Sequence, residues 1–155
     1  MHINPDHFLD VDGVRVIDAD RNAAAWQQCF AVLPRALEQS QPGGRLYVLV
    51  GAQGAGKSTW AAALKAREPQ SVVFDAILVK KSERAPIIAE ARRVGVGAVA
   101  VWFQTSLETC LARNAERPQD QVVPERNIRN VYAAIEPPTL QEGFSEIVLV
   151  LDTTE

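Results

Sequence analysis

Eight consecutive residues of this chain have the types and spacing to hold a polyphosphate: Gly51-Ala52-Gln53-Gly54-Ala55-Gly56-Lys57-Ser58, a complete G-x-x-x-x-G-K-S run. Glycines at 51, 54 and 56 let the backbone turn sharply, so that successive N–H groups can approach phosphate oxygens. A helix opening near Lys57 adds the partial positive charge of its N-terminus. Lys57 would reach the β- and γ-phosphates, the Ser58 hydroxyl is placed to ligate Mg²⁺, and Thr59 supports the α-phosphate side. The expected cofactors are therefore ATP and Mg²⁺, with Gly51 to Thr59 as the binding stretch. No Asn/Thr-Lys-x-Asp element for reading guanine follows, and 155 residues are too few for a large remodelling ATPase. Kinases acting on small molecules or nucleic acids remain.

A carboxylate and two guanidinium groups complete the chemistry. Asp75 closes the run Val72-Val73-Phe74, at the carboxyl end of an expected strand, where open α/β sheets place their sites. It can hold a Mg²⁺-bound water or accept the proton of an attacking hydroxyl. Arg113 and Arg117 lie four apart on one helical face, just before the polar loop Pro118 to Gln121. Arginines on a lid neutralise charge on a transferred phosphoryl group. Taken alone, this pair reads better as a solvated face pairing with Glu108 or Glu116. The catalytic candidates are Lys57, Asp75, Arg113 and Arg117, and the metal candidates are Ser58 and Asp75.

The surrounding pattern supplies elements to position these groups. Leu46 to Val50 reads as an apolar strand and Ser58 to Ala66 as a helix. Val72 to Phe74 is a second strand, and Ser82 can cap a helix ending at Gly95. Ala98 to Phe103 is a third strand, apolar enough to be buried on both faces. Ser106 opens another helix, Pro124 suits the first turn of the next, and Ile147 to Leu151 is a last strand. Alternating strands and helices argue for an α/β fold: a P-loop-type parallel sheet of about four to five strands with helices on both faces. Before this core, His7 to Ile17 reads as a hairpin around Asp12-Gly13. A helix follows, capped by Asp18 or Asp20 and kinked or interrupted at Pro34.

Composition bounds the class. The chain has 155 residues, 47% of them hydrophobic, and a net charge of −3. That suits one domain with a buried core and excludes bulk disorder. No apolar run nears the ~20 residues of a membrane span, and Met1 to Asp12 lacks a leader layout, so no membrane partner and a cytoplasmic location are expected. Cys29 and Cys110 have no C-x-x-C spacing, which argues against a zinc site or disulfide scaffold.

Read in order, GAQGAGKSTW, VVFDAILVKKSER, CLARNAER, VVPERNI and PPTLQEGFSEIVLV resemble the kinase domain of polynucleotide 5′-hydroxyl kinases and their broader P-loop kinase relatives. The resemblance runs from about Leu46 to Leu151, so residues 1–44 form an N-terminal hairpin and helix outside it, within a single domain of residues 1–155. It implies ATP and Mg²⁺ at Gly51 to Thr59, and lid roles for Arg113 and Arg117. It also implies an arginine after the strand-end Asp, matched by Arg84. Two departures stand out. Ile77 and Leu78 occupy positions where the family has polar residues. Only Arg67 to Ser71 separates the phosphate-loop helix from the Asp75 strand, where the family inserts a further strand carrying its general-base Asp. No residue here matches that base, and the N-terminal hairpin is the expected source of a fifth strand or of cover for a sheet edge open to self-association.

Other residues read as structural. His2 and His7 fall in a segment expected to fray. Trp26, Trp60 and Trp102 lie on apolar faces and are expected in the core. Lys80, Lys81, Arg84, Arg92 and Arg93 read as a solvated basic face, with a phosphate-tracking surface as the alternative. The function expected is transfer of the γ-phosphoryl of ATP to a hydroxyl acceptor, which can be a polynucleotide 5′-end, a nucleoside or another small molecule. The alternative is an ATP-binding regulatory or partner-binding module that has lost transfer.

Overall fold

The computed structural model describes residues 1–5, 10–11, 14–15 and 19–151. Its centre is a five-stranded sheet in the order β1-β5-β4-β6-β7, with every neighbouring pair parallel. The strands are β1 (His2–Ile3), β4 (Leu46–Val50), β5 (Val72–Asp75), β6 (Ala98–Gln104) and β7 (Glu146–Leu151). The expected α/β class is borne out. Leu46 to Val50 is buried throughout, as a central parallel strand covered on both faces requires.

Pleating divides the core. Leu46, Val48 and Val50 face one layer, together with Val72 and Phe74; Leu33 and Leu37 of α1 (Ala19–Gln39) and Ile87 and Ala91 of α3 (Lys81–Val94) cover them. Tyr47, Leu49 and Val73 face the other. There they meet Leu64 of α2 (Lys57–Arg67), Cys110 of α4 (Leu107–Ala115) and Ile128 of α5 (Glu125–Ala134). The chain passes from β5 over β4 to β6. The strand order therefore reverses direction at the carboxyl end of β4, the switch point at which such sheets bind ligands.

Several local expectations change. Helix α1 continues through Pro34. A mid-helix proline removes one hydrogen bond, and burial of Leu33 and Leu37 on either side holds the helix against the sheet. Helix α3 starts one residue before Ser82, with Lys80 as its cap; the Lys80 N–H donates to Glu83 Oε1 at 2.9 Å. Ser106 caps α4 as expected, accepting from the Thr109 N–H.

The fifth strand has a different origin from the one expected. The hairpin exists as β2 (Asp10–Val11) and β3 (Val14–Arg15), antiparallel to each other and forming a separate two-stranded sheet. Its turn at 12–13, like His7, lies outside the described residues. The edge beside β5 is instead taken by β1, with His2 opposite Val73 and Ile3 opposite Phe74. The Val73 N–H donates to the Met1 carbonyl at 2.8 Å, and Ile3 is buried in the α1/α3 layer. This replaces the reading of His2 as frayed: one buried isoleucine and a parallel ladder fix the segment.

Candidate functional site

The loop Gly51 to Gly56 runs from β4 into α2. Gly54 and Gly56 have φ of 84° and 98°, a region that side chains with a Cβ disfavour. Gly54 is also constrained by space, since a Cβ there would lie 2.5 Å from the Cys110 carbonyl oxygen of α4. The loop is tied down just past the end of β6 as well, where the buried Thr105 hydroxyl donates to the Ala55 carbonyl at 3.0 Å. Lys57 Nζ donates to the Gly51 carbonyl at 2.9 Å and lies 3.9 Å from Asp75 Oδ1. The lysine thus closes the loop on itself and links it to β5.

Three contiguous cavities surround this loop. A central one of about 210 Å³ is lined by Gly54, Gly56, Lys57, Ser58, Thr59 and both Arg113 and Arg117. The Arg113 guanidinium donates to the Gly54 carbonyl at 3.2 Å. The structure therefore brings the two arginines, 55 or more positions downstream, onto the glycine loop. On one side lies a larger cavity of about 490 Å³ that shares Gly56, Thr59 and Arg113 and is walled by Trp60, Phe103 and Val150. On the other side a cavity of about 320 Å³ shares Lys57, Ser58 and Arg117, and reaches Trp26, Ile77 and Glu83. Asp75 also lines it. Trp26, expected in the core, is half-buried and forms part of this wall, its ring 6.2 Å from that of Phe74.

Asp75 is 2% exposed. Oδ2 accepts from Asn4 Nδ2 at 3.2 Å and lies 2.9 Å from His2 Nε2. Burial pushes its carboxyl up, but the His2 hydrogen bond, the Lys57 charge, the His2 charge and the Asn4 amide outweigh this and hold it below the ordinary aspartate value. An ionised carboxylate only accepts, so His2 Nε2 is the donor.

Other sequence candidates fall elsewhere. Arg84 is fully buried, with Nε and Nη2 on Glu142 at 2.8 and 3.1 Å and Nη1 on the Leu78 and Val79 carbonyls. It is neither part of a solvated face nor an acceptor-reading group. Instead it locks α3 to the turn 140–142, and Glu142 belongs to the same P-P-T-L-Q-E-G-F stretch that the resemblance singled out. Arg93 pairs with Glu90. Lys80 and Lys81 are exposed as expected. Asn114, part of the CLARNAER run but with no role assigned from the sequence, is buried, donates to the Val123 carbonyl at 2.7 Å and accepts from its N–H. It pins the segment after the arginines to α4. His2 and Asn4 also escaped sequence reasoning, for they lie more than 70 positions from Asp75. Their alternation around apolar Ile3 was the only local cue.

Two carboxyls link stability to pH. In Glu142, burial is again outweighed, by the Arg84 hydrogen bonds, the Thr139 N–H and the Arg84 and Lys81 charges, and the carboxyl is held below its usual value. A carboxyl with a lower folded value stabilises the fold fully above its unfolded value, about 3.9 for Asp and 4.3 for Glu. That contribution drains away as pH falls through the folded value. Unfolding free energy from urea titrations should be flat from pH 7 to about 5 and fall steeply below about 4. Asp75→Asn should start lower and show a shallower acid-side fall.

The strand–loop–helix at a switch point, under two arginines, defines a P-loop nucleotide-binding domain of the α/β class. A family profile described as "AAA domain" matches residues 62–138, just under half the chain and downstream of the glycine loop itself. Among solved structures the chain is similar to Chaetomium thermophilum Kti12 in complex with ADP-AlF3, at 18% identity and a TM-score of 0.46, over 78% of this chain and 82% of that one. No curated protein matches it. The class rests on this chain's own loop and sheet order.

Proposed function

We propose that the protein is an ATP-dependent phosphotransferase that moves the γ-phosphoryl group of ATP to a hydroxyl acceptor. The observation carrying this reading is the adjacency of the three cavities: the central one shares residues with an aromatic-walled cavity and with the Asp75–Trp26 cavity. A nucleotide base, its phosphates and an acceptor occupy these in turn. The triphosphate lies along Gly51 to Thr59, with Lys57 turning from the Gly51 carbonyl to the β- and γ-phosphates. Arg113 and Arg117 neutralise the charge that develops on the transferred group.

The donor set fits Mg²⁺. Ser58 and Asp75 offer hard oxygens, and Mg²⁺ takes its remaining ligands from phosphate and water. Among the described residues no group of three or more His, Cys, Asp or Glu forms a separate metal site. Bound there, the ion would supply charge neutralisation between the β- and γ-phosphates.

Asp75 is held ionised, which makes it a weak base at neutral pH. A loose phosphoryl-transfer transition state needs little proton removal before the P–O bond to the leaving ADP breaks. Asp75 therefore serves mainly to orient the hydroxyl or a metal-bound water. The acceptor cavity carries Trp26, Pro5 and Ile77 as apolar walls and Gln53 as a polar one. Gln53 Oε1 is buried without a hydrogen-bond partner among the described residues.

A second reading, an ATP-binding module without transfer, draws support from the apolar turn after Asp75, in which Ala76, Leu78 and Val79 are buried. Radiolabelled transfer from [γ-³²P]ATP to 5′-hydroxyl oligonucleotides, nucleosides and small polyols separates the two. Transfer is expected, and Trp26→Ala should raise the acceptor KM several-fold while leaving ATP affinity within about twofold, since the loss is confined to one wall. Tight ATP binding with no labelled acceptor would favour the module.

A further inference from the structure

We infer that His2 and Asn4 are positioning residues of the nucleotide site, and that β1 is part of that site as well as an edge strand. The inference rests on the nucleotide-binding reading above and extends it to residues that neither the glycine loop nor the family profile includes. In the parallel register Ile3 stands opposite Phe74, so Asn4 falls beside Asp75 and His2 beside Val73. Side chains alternate along a strand, and so His2 and Asn4 lie on one face with Val73 and Asp75, while Ile3 points into the opposite layer. That face is the one on which α2 and the glycine loop lie.

The consequence is orientational. Asp75 Oδ2 takes hydrogen bonds from His2 of β1 and from Asn4, the residue just past it. With that oxygen fixed, Oδ1 is the oxygen turned toward Lys57 Nζ, at 3.9 Å. A carboxylate tethered at one oxygen loses rotation about its last bond before any ligand arrives. Asn4 also lines the acceptor cavity beside Asp75. The flank of β5 away from β4 is held by β1, from a part of the chain some 70 positions upstream.

The experiment is calorimetric titration of ATP in Mg²⁺ and in EDTA, reading the factor by which Mg²⁺ tightens binding. His2→Ala and Asn4→Ala should each cut that factor by about tenfold, as removal of an outer hydrogen-bond partner of a metal-site ligand does. His2→Gln, which keeps a donor at similar reach, should retain it within about threefold. In an Asp75→Asn background, His2→Ala should change it no further. Circular dichroism and urea unfolding establish that each variant is folded. A folded His2→Ala that is less stable yet keeps the full Mg²⁺ factor would overturn the inference, as would an equal loss in the Asp75→Asn background. Wild-type protein that binds no ATP in either buffer would instead overturn the nucleotide reading, and the inference with it. ATP binding without any Mg²⁺ dependence would overturn the inference alone.

Discussion

Lys57→Met should weaken ATP binding by roughly thirtyfold or more while leaving the protein folded. The substitution keeps the stem, which is largely buried, and removes only the ammonium group. Loss of one partner from a desolvated charge contact costs about 2–5 kcal/mol, and 1.4 kcal/mol is a factor of ten. Stability should change far less. Asp75 keeps its hydrogen bonds from His2 and Asn4, so its charge is not abandoned when the lysine goes. Isothermal titration and urea unfolding, run on the same preparation, test both halves. Unchanged affinity would mean that the loop binds no triphosphate in the manner described.

Arg84→Met should produce the largest stability loss, about 3–5 kcal/mol, from a total that for such domains is about 5–15 kcal/mol. The fully buried guanidinium makes two hydrogen bonds to Glu142 and two to the carbonyls of Leu78 and Val79. Removing it leaves a carboxylate whose side chain is 8% exposed with its charge unpaired and only Thr139 donating to it, and it takes the Arg84 donor from the Leu78 carbonyl, while the Val79 carbonyl keeps the Glu136 N–H. The companion variant Arg84→Met/Glu142→Gln should recover part of the loss, because the unpaired charge is then gone. ATP affinity, measured well below the unfolding midpoint, should stay close to that of wild type. A large loss of affinity in a folded Arg84→Met protein would instead return Arg84 to the binding surface. Denaturant midpoints at pH 7 supply the stability comparison.

How far the sequence reached follows from the range of each signal. Leu46 to Ser58 was legible because a strand, a glycine loop and a helix start are all local patterns. The sheet class followed from Val72 to Asp75, Ala98 to Phe103 and Ile147 to Leu151, each an apolar run set between helices. Arg113 and Arg117 stood out as candidates from their spacing, but their place beside Gly54 and Gly56 depends on how α4 packs, which spacing does not encode. Arg84 was misjudged because surface and core arginines look alike until Glu142, 58 positions away, is brought to them. His2 was misjudged for a similar reason: two residues of strand carry almost no periodicity, and a terminal position suggests fraying. Burial of Ile3 and pairing with β5 decided otherwise. At Pro34 the interruption that a local breaker allows did not occur: α1 runs through it with Leu33 and Leu37 buried on either side.

In the proposed reaction, triphosphate and acceptor meet between Lys57, Arg117 and Asp75. A crystal structure with a non-hydrolysable ATP analogue and Mg²⁺ tests it most directly. The expected result has the γ-phosphate against Lys57 Nζ and the Arg117 guanidinium, with Asp75 Oδ1 toward it and the Trp26 cavity open on its far side. A triphosphate bound away from the Gly51–Thr59 loop, or a γ-phosphate sealed off from the Trp26 cavity, would contradict it.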